Sequence, residues 1–257
     1  MNARVTILGS GTSQGVPIIT CRCEVCTSPD PRDQRLRSSI LLEHGDTTVV
    51  FDTGPDFRYQ MLREGVMKLS GIVYTHEHKD HIAGLDEVRA FNFANNWRAQ
   101  VYCTEQVDQA LRREFAYAFS EVYYPGIPEI DLNRINLEPF QIDALTIIPI
   151  QVFHLNMPVL GFRIGDFTYI TDANRIEDSE LEKIKGSRVL ILNALRHTPH
   201  PSHYTLNEAL ALADRLEIPE VYFTHISHQL GKHEEVCAGL PAGRTLAYDG
   251  LKINIQV

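Results

Sequence analysis

The sequence has no apolar run approaching the ~18 residues of a membrane span, and its start, Met1 to Ile7, lacks the apolar core of a signal peptide. The expectation is a cytoplasmic protein with no membrane partner. Positive charge is also scarce: 24 lysines and arginines stand against 33 acidic residues, a formal charge of −9. That balance disfavours a protein that grips nucleic acid through its phosphates, and divalent cations would offset part of it locally. Cysteines number five, an odd count for a disulfide framework, and three of them, Cys21, Cys23 and Cys26, fall within six residues. Such crowding points to metal thiolate. Cys103 and Cys237 read as packing residues. The glycine-rich turn Gly9 to Pro17 can bring backbone N–H groups close to a ligand, but no Gly-Lys-Ser/Thr follows it, which excludes a nucleotide phosphate loop. Internal repeats, low-complexity tracts and linkers are missing too. With 44% hydrophobic and 22% charged residues in 257, the composition suits one globular domain over residues 1–257.

What is present alternates strands with turns. Arg4 to Leu8, Ser38 to Glu43 and Thr48 to Phe51 read as strands, the last two joined by hairpin chemistry at Gly45-Asp46. Asp56 to Glu64 reads as a short helix, and Leu85 to about Tyr124 as mostly helical around a strand at Gln100 to Cys103, with Glu105 to Phe115 as its clearest helix. Pro125, Pro128 and Pro139 break the pattern. A second block brings strands at Leu145 to Phe153, Gly161 to Ile164, Thr168 to Thr171, Val189 to Leu192 and Val221 to Phe223. Helices read at Glu177 to Ile184 and Thr205 to Leu216, the latter opened by a capping box of Thr205 and Glu208.

The densest chemistry is Thr75-His76-Glu77-His78-Lys79-Asp80-His81, on the loop leaving the apolar strand Gly71 to Thr75. Neutral imidazole suits Zn, Fe, Ni and Cu, while carboxylate suits harder ions such as Mn, so the set can serve two metals. A lone histidine at a strand end is usually a hydrogen-bonded core or surface residue. Here candidate ligands recur after four strands: His76, His78, Asp80 and His81, then His154, Asp172 and His225. Two strand-rich blocks delivering polar residues to one edge, with helices between, suggest two facing sheets with helices outside, an α/β architecture.

His76, His78, Asp80 and His81 match the His-x-His-x-Asp-His signature of the metallo-β-lactamase superfamily, which the chain resembles over nearly its whole length. The resemblance implies an αββα sandwich. It places His76, His78 and His154 on one metal, Asp80, His81 and His225 on a second, and Asp172 between them, with Asp52 supporting the metal loop from behind. Such a pair, about 3.5–4 Å apart, would generate a bridging hydroxide and polarise a phosphoryl oxygen. Within the superfamily the likeness is to PhnP-type phosphodiesterases, related to tRNase Z. Cys21, Cys23 and Cys26 resemble the PhnP cysteine cluster, completed by His228 as a closed structural zinc site. His203 resembles the PhnP general acid and stands beside a helix N-terminus that favours phosphate. His197, His200 and Arg196 share that loop and can contact substrate; His44 and His233 read as surface residues.

The resemblance thus implies a metal-dependent phosphodiesterase acting on a small phosphodiester, cyclic ribosyl or nucleoside phosphates included, with catalytic Mn²⁺ or Zn²⁺ and a homodimeric state. Its rivals are a tRNase Z-like ribonuclease, against which stand the acidic charge and the lack of a basic arm; a PqqB-like cofactor-biosynthesis protein, which the complete ligand set weakens; and a scaffold in which metals only hold the fold.

Overall fold

In the computed structural model, which describes residues 2–120 and 125–257, fifteen strands among the described residues form two sheets. In chain order they are β1 (Asn2–Gly9), β2 (Ser39–His44), β3 (Thr47–Phe51), β4 (Gly71–Val73), β5 (Ala99–Cys103), β6 (Ile130–Arg134), β7 (Phe140–Ile142), β8 (Leu145–His154), β9 (Met157–Ile164), β10 (Phe167–Ile170), β11 (Arg175–Ile176), β12 (Val189–Asn193), β13 (Glu220–Thr224), β14 (Arg244–Leu246) and β15 (Lys252–Gln256). The first sheet runs β15-β1-β2-β3-β4-β5-β6 and the second β11-β8-β9-β10-β12-β13-β14, with β7 beside β8. Helices α1 (Phe57–Glu64), α2 (Lys79–Ile82), α3 (Arg89–Asn95) and α4 (Glu105–Glu114) accompany the first sheet, and α5 (Asp178–Ile184), α6 (Leu206–Arg215) and α7 (His233–Ala238) the second.

Side-chain alternation along the strands creates the layers. On β3, Val49 and Phe51 join the central core while Val50 faces outward; on β12, Val189 and Ile191 face inward and Leu190 and Leu192 outward. The central core therefore lies between sheets, with Phe51 against Phe162 at 5.3 Å and against Tyr169 at 6.1 Å between ring centroids. The outward residues of the first sheet pack on Phe57, Leu85, Val107 and Leu111, and those of the second on Leu181, Ala209 and Ala213. This is the αββα sandwich expected from the sequence.

The parallel pairings of β3 with β4 and β5, and of β10 with β12 and β13, send those strands' C-terminal ends to one edge. β8 runs the same way, being antiparallel to β9, which is antiparallel to β10. The ends meet across the sandwich, where the Leu160 N–H donates to the Thr75 carbonyl at 3.0 Å. No described helix is long and apolar enough to cross a membrane.

Two expectations need correction. Most N–H groups of the glycine-rich turn are taken up within the protein and not offered to a ligand: Gly11 donates to Leu36, Thr12 to Ile226 and Gly15 to Thr12. His233 is buried, 4% exposed, because α7 folds it over the Arg35 side chain. The helical expectation reaching Tyr124 ends among residues 121–124, outside the described residues.

Candidate metal centre

Three of the gathered residues take left-handed backbone conformations just past strands: Asp52 (φ 64°) after β3, Asp172 (φ 55°) after β10 and His225 (φ 55°) after β13. Such φ values are uncommon outside glycine and concentrate at functional sites. Each turns the chain sharply at the sheet edge and leaves its side chain buried, at 0–2% exposure.

Asp52 organises the histidine loop. One carboxylate oxygen accepts from the Thr75 N–H at 2.9 Å; the other accepts from the Thr75 hydroxyl at 2.8 Å and lies 2.7 Å from His81 Nδ1. That contact leaves His81 Nε2 directed toward the cluster, 3.2 Å from both Asp80 Oδ2 and Asp172 Oδ2. Thr75 Oγ1 also lies 2.9 Å from His76 Nδ1, fixing the second ring. The chain around the loop is tight: a Cβ at Gly54 would come within 2.1 Å of the Asp80 carbonyl oxygen. The Thr53 N–H donates to the His81 carbonyl at 2.8 Å.

Asp80, His81, Asp172 and His225 each bring a donor atom within 4.8 Å of the others, as do His154, Asp172 and His203. Asp172 is common to both sets. His76 and His78 stand beside them, their rings 4.6 Å apart, with His78 5.1 Å and His76 6.1 Å from His154. The ring nitrogens are held from behind: His154 Nδ1 sits 2.9 Å from the Ser202 carbonyl, and His225 Nδ1 lies 3.2 Å from the Ser38 hydroxyl and from Asp172 Oδ2.

The electrostatics follow from burying carboxylates and imidazoles together. Burial opposes ionisation of Asp80 and Asp172, yet His81 and His225 outweigh it and draw both far below the usual carboxylate range. Burial likewise opposes a charged His81, but Asp172, Asp80 and Asp52 hold it well above the ordinary imidazole value. Asp52 itself is raised, chiefly by burial. His76, next to His81, is pushed well down by burial first and by that neighbour's charge second.

The donor set fits divalent cations. His76 Nε2 and His203 Nδ1 are buried with no hydrogen-bond partner among the described residues, a costly state that a ligand would relieve. Asp172 can reach both donor sets at once, as a shared carboxylate must.

The cysteine knuckle lies on the neighbouring loop. Cys21, Cys23 and Cys26 place sulfur 3.3, 3.3 and 3.5 Å from His228 Nδ1. The Cys26 N–H lowers the Cys23 thiol to about 6 against the opposing effect of burial, while burial pushes Cys26 up to about 11. A cluster offering three sulfurs and one imidazole nitrogen fits tetrahedral zinc.

A family profile for the Beta-lactamase superfamily domain matches residues 47–226. The chain belongs to the metallo-β-lactamase superfamily. Its fold is accordingly a metal-binding one. A crystal structure described as a new diphosphatase from the PhnP family matches with a TM-score of 0.94 and 43% identity, covering 99% of this chain and 98% of that one. Zn(2+)-bound PqqB from Methylobacterium extorquens matches with a TM-score of 0.78 at 20% identity over 97% of this chain and 99% of that one, a likeness of fold. An octanoyltransferase from Porphyromonas gingivalis (strain ATCC BAA-308 / W83) is 37% identical over 258 residues. The alignment takes in 98% of this chain and 52% of that protein, so the chain spans about half the length of this curated relative.

In the loop after β12, His200 joins the cluster, its ring 5.0 Å from His203, whereas His197 is engaged with the Leu230 carbonyl at 2.9 Å. Arg196 braces the loop itself, donating to the Thr198 and Pro199 carbonyls and to Gln229. Sequence reasoning missed Thr75, Ser38 and Asn193. The Asn193 side chain clamps the Ala173 N–H and carbonyl at 2.8 Å each, fixing the residue after Asp172. None carries a motif; each acts through a neighbour that only the fold brings near.

Proposed function

We propose that this chain is a metal-dependent phosphodiesterase acting on small phosphodiesters, with one metal held by His76, His78 and His154, the other by Asp80, His81 and His225, and Asp172 shared. The observation carrying the reading is Asp172: a single buried carboxylate common to the set with Asp80, His81 and His225 and to a set with His154 and His203, while His76 Nε2 has no hydrogen-bond partner among the described residues. The Cys₃His knuckle holds a structural zinc in the same reading, and the catalytic pair is Mn²⁺ or Zn²⁺.

A bound divalent pair would supply Lewis acidity toward the phosphoryl oxygens and a deprotonated water near neutral pH. The remaining work belongs to the chain. Asp52 fixes the orientation of His81 and, through Thr75, that of His76. In this reading His203, 8% exposed and 4.8 Å from His225 ring to ring, protonates the departing alkoxide. In the chain alone, burial and then His225 push it down to about 3, against Asp172. The negative charge of a bound phosphate would favour the protonated ring.

The second reading, hydrolysis of a diphosphate linkage, is favoured by the diphosphatase matched over the whole chain. Both reactions break a P–O bond at a tetrahedral phosphorus with anionic oxygens. Octanoyl transfer is not carried over, because the relative so named is about twice as long as the matched region. The reading also takes the protein to be a cytoplasmic homodimer, a point for native mass measurement.

Asp172→Ala should lower metal-dependent turnover of a chromogenic phosphodiester by orders of magnitude and reduce bound catalytic metal, with the fold retained by circular dichroism. Near-normal activity with full metal content would overturn the assignment.

A further inference from the structure

Next to the histidine loop, and lined by none of the metal-donor residues, lies a cavity of about 490 Å³, within the ~300–1,000 Å³ usual for small-molecule sites. It opens where the two sheets part, between the start of α4, the segment after β6 and the β8–β9 pair. Its wall is tied to the histidine loop: the Gln106 amide donates to Glu77 at 2.5 Å, and Glu77 stands between His76 and His78. Leu160, which lines the cavity, donates its N–H to the Thr75 carbonyl at 3.0 Å.

The lining has a definite chemistry. Ile135, Pro158 and Leu160 give it apolar surface, while Gln109, Gln151 and Asn136 bring side-chain amides. No lysine or arginine is among the lining residues. An anionic group therefore gains nothing here and belongs at the metals, whereas a neutral flat ring can lie on the apolar surface. An amide both donates and accepts, which suits a ring edge carrying donors and acceptors side by side. Among the described residues the Gln109 and Gln151 side chains form no hydrogen bond and remain available.

We propose that this cavity is the subsite for the nucleobase of a nucleoside phosphodiester whose phosphorus sits at the metal cluster. The inference deepens the phosphodiesterase reading and rests on it. It assigns substrate selection to Gln109 and Gln151, which touch neither metal ligands nor the reacting phosphorus.

The test pairs two diesters with one leaving group, thymidine 5′-(p-nitrophenyl phosphate) and methyl p-nitrophenyl phosphate, on the Mn²⁺-loaded full chain. The wild type should prefer the nucleoside ester in kcat/KM, and Gln109→Ala and Gln151→Ala should each shrink that ratio by about tenfold, through KM, as expected for losing a ligand hydrogen bond. No preference in the wild type, or a ratio unmoved in both variants, would overturn the subsite. Thymidine titrated into metal-free protein should give saturable NMR shifts of the Gln109 and Gln151 side-chain amides; unmoved signals would equally overturn it. Failure of the wild type to cleave either ester would count against phosphodiester hydrolysis, and the thymidine titration would then decide the cavity by itself.

Discussion

His203 is where a proton and a cation can compete for one ring. Its Nδ1 is buried without a partner and 3.9 Å from Asp172 Oδ1, and it belongs to a donor set with His154. As a proton donor it should matter only for leaving groups that need protonation. His203→Ala should slow an alkyl phosphodiester by about 10²–10⁴-fold and a p-nitrophenyl diester far less. Equal losses together with reduced metal content would make the ring a ligand. The position itself was marked in the sequence by its resemblance to the PhnP general acid, and the capping box read just after it is present, with the Thr205 N–H donating to Glu208 at 2.8 Å and the Glu208 N–H to Thr205 Oγ1 at 3.2 Å. Its approach to His154, 4.6 Å ring to ring, was not, since the two lie on loops far apart in sequence, which the His154 Nδ1 contact with the Ser202 carbonyl brings together.

Among the elements, the cysteine knuckle is coupled to the metal edge by a short stretch of backbone. His228 follows His225 by three residues, and between them Ile226 is pinned to the first sheet's loop, donating to the Ser10 carbonyl at 2.9 Å and accepting from Thr12 at 3.0 Å. Metal bound to a closed thiolate site contributes directly to folding. Cys23→Ser should therefore remove about one zinc equivalent by metal analysis and lower the melting temperature; unchanged zinc would refute a structural site there. The strands that deliver ligands were legible because they are apolar and β-branched. Three others were not read: β6 lies between Pro128 and Pro139, β14 is the three residues Arg-Thr-Leu, and the alternating Lys-Ile-Asn-Ile-Gln of β15 becomes a strand by pairing with β1 from the other end of the chain.

At the scale of the whole molecule, pH should act through a histidine outside the metal donor sets. His233 is pushed down to about 4 by burial first and then by Arg35 and Arg32, with Asp30 and Asp33 opposing; Tyr248 and Cys237 complete its surroundings. A folded value below the ordinary 6.5 means stability that is fully present above pH 6.5 and is lost as pH falls toward 4. Melting temperatures measured across that window should fall with acid, and His233→Gln should flatten the slope. An unaltered slope would show that other groups carry it.

The sandwich keeps its chemistry at one edge and its simplest hairpin at the other, which makes the molecule a practical scaffold for attachment. The turn between β2 and β3 is open: an added Cβ at Gly45 meets nothing within 4 Å, and Asp46 is fully exposed. The turn between β9 and β10 is closed, since a Cβ at Gly165 would come within 2.0 Å of the Gln256 carbonyl oxygen. A short flexible peptide inserted between Gly45 and Asp46 should leave turnover and melting temperature near wild type, while the same insert between Gly165 and Asp166 should cost soluble yield. An affinity tag or surface tether placed at the first turn would leave the metal edge facing outward to its substrates.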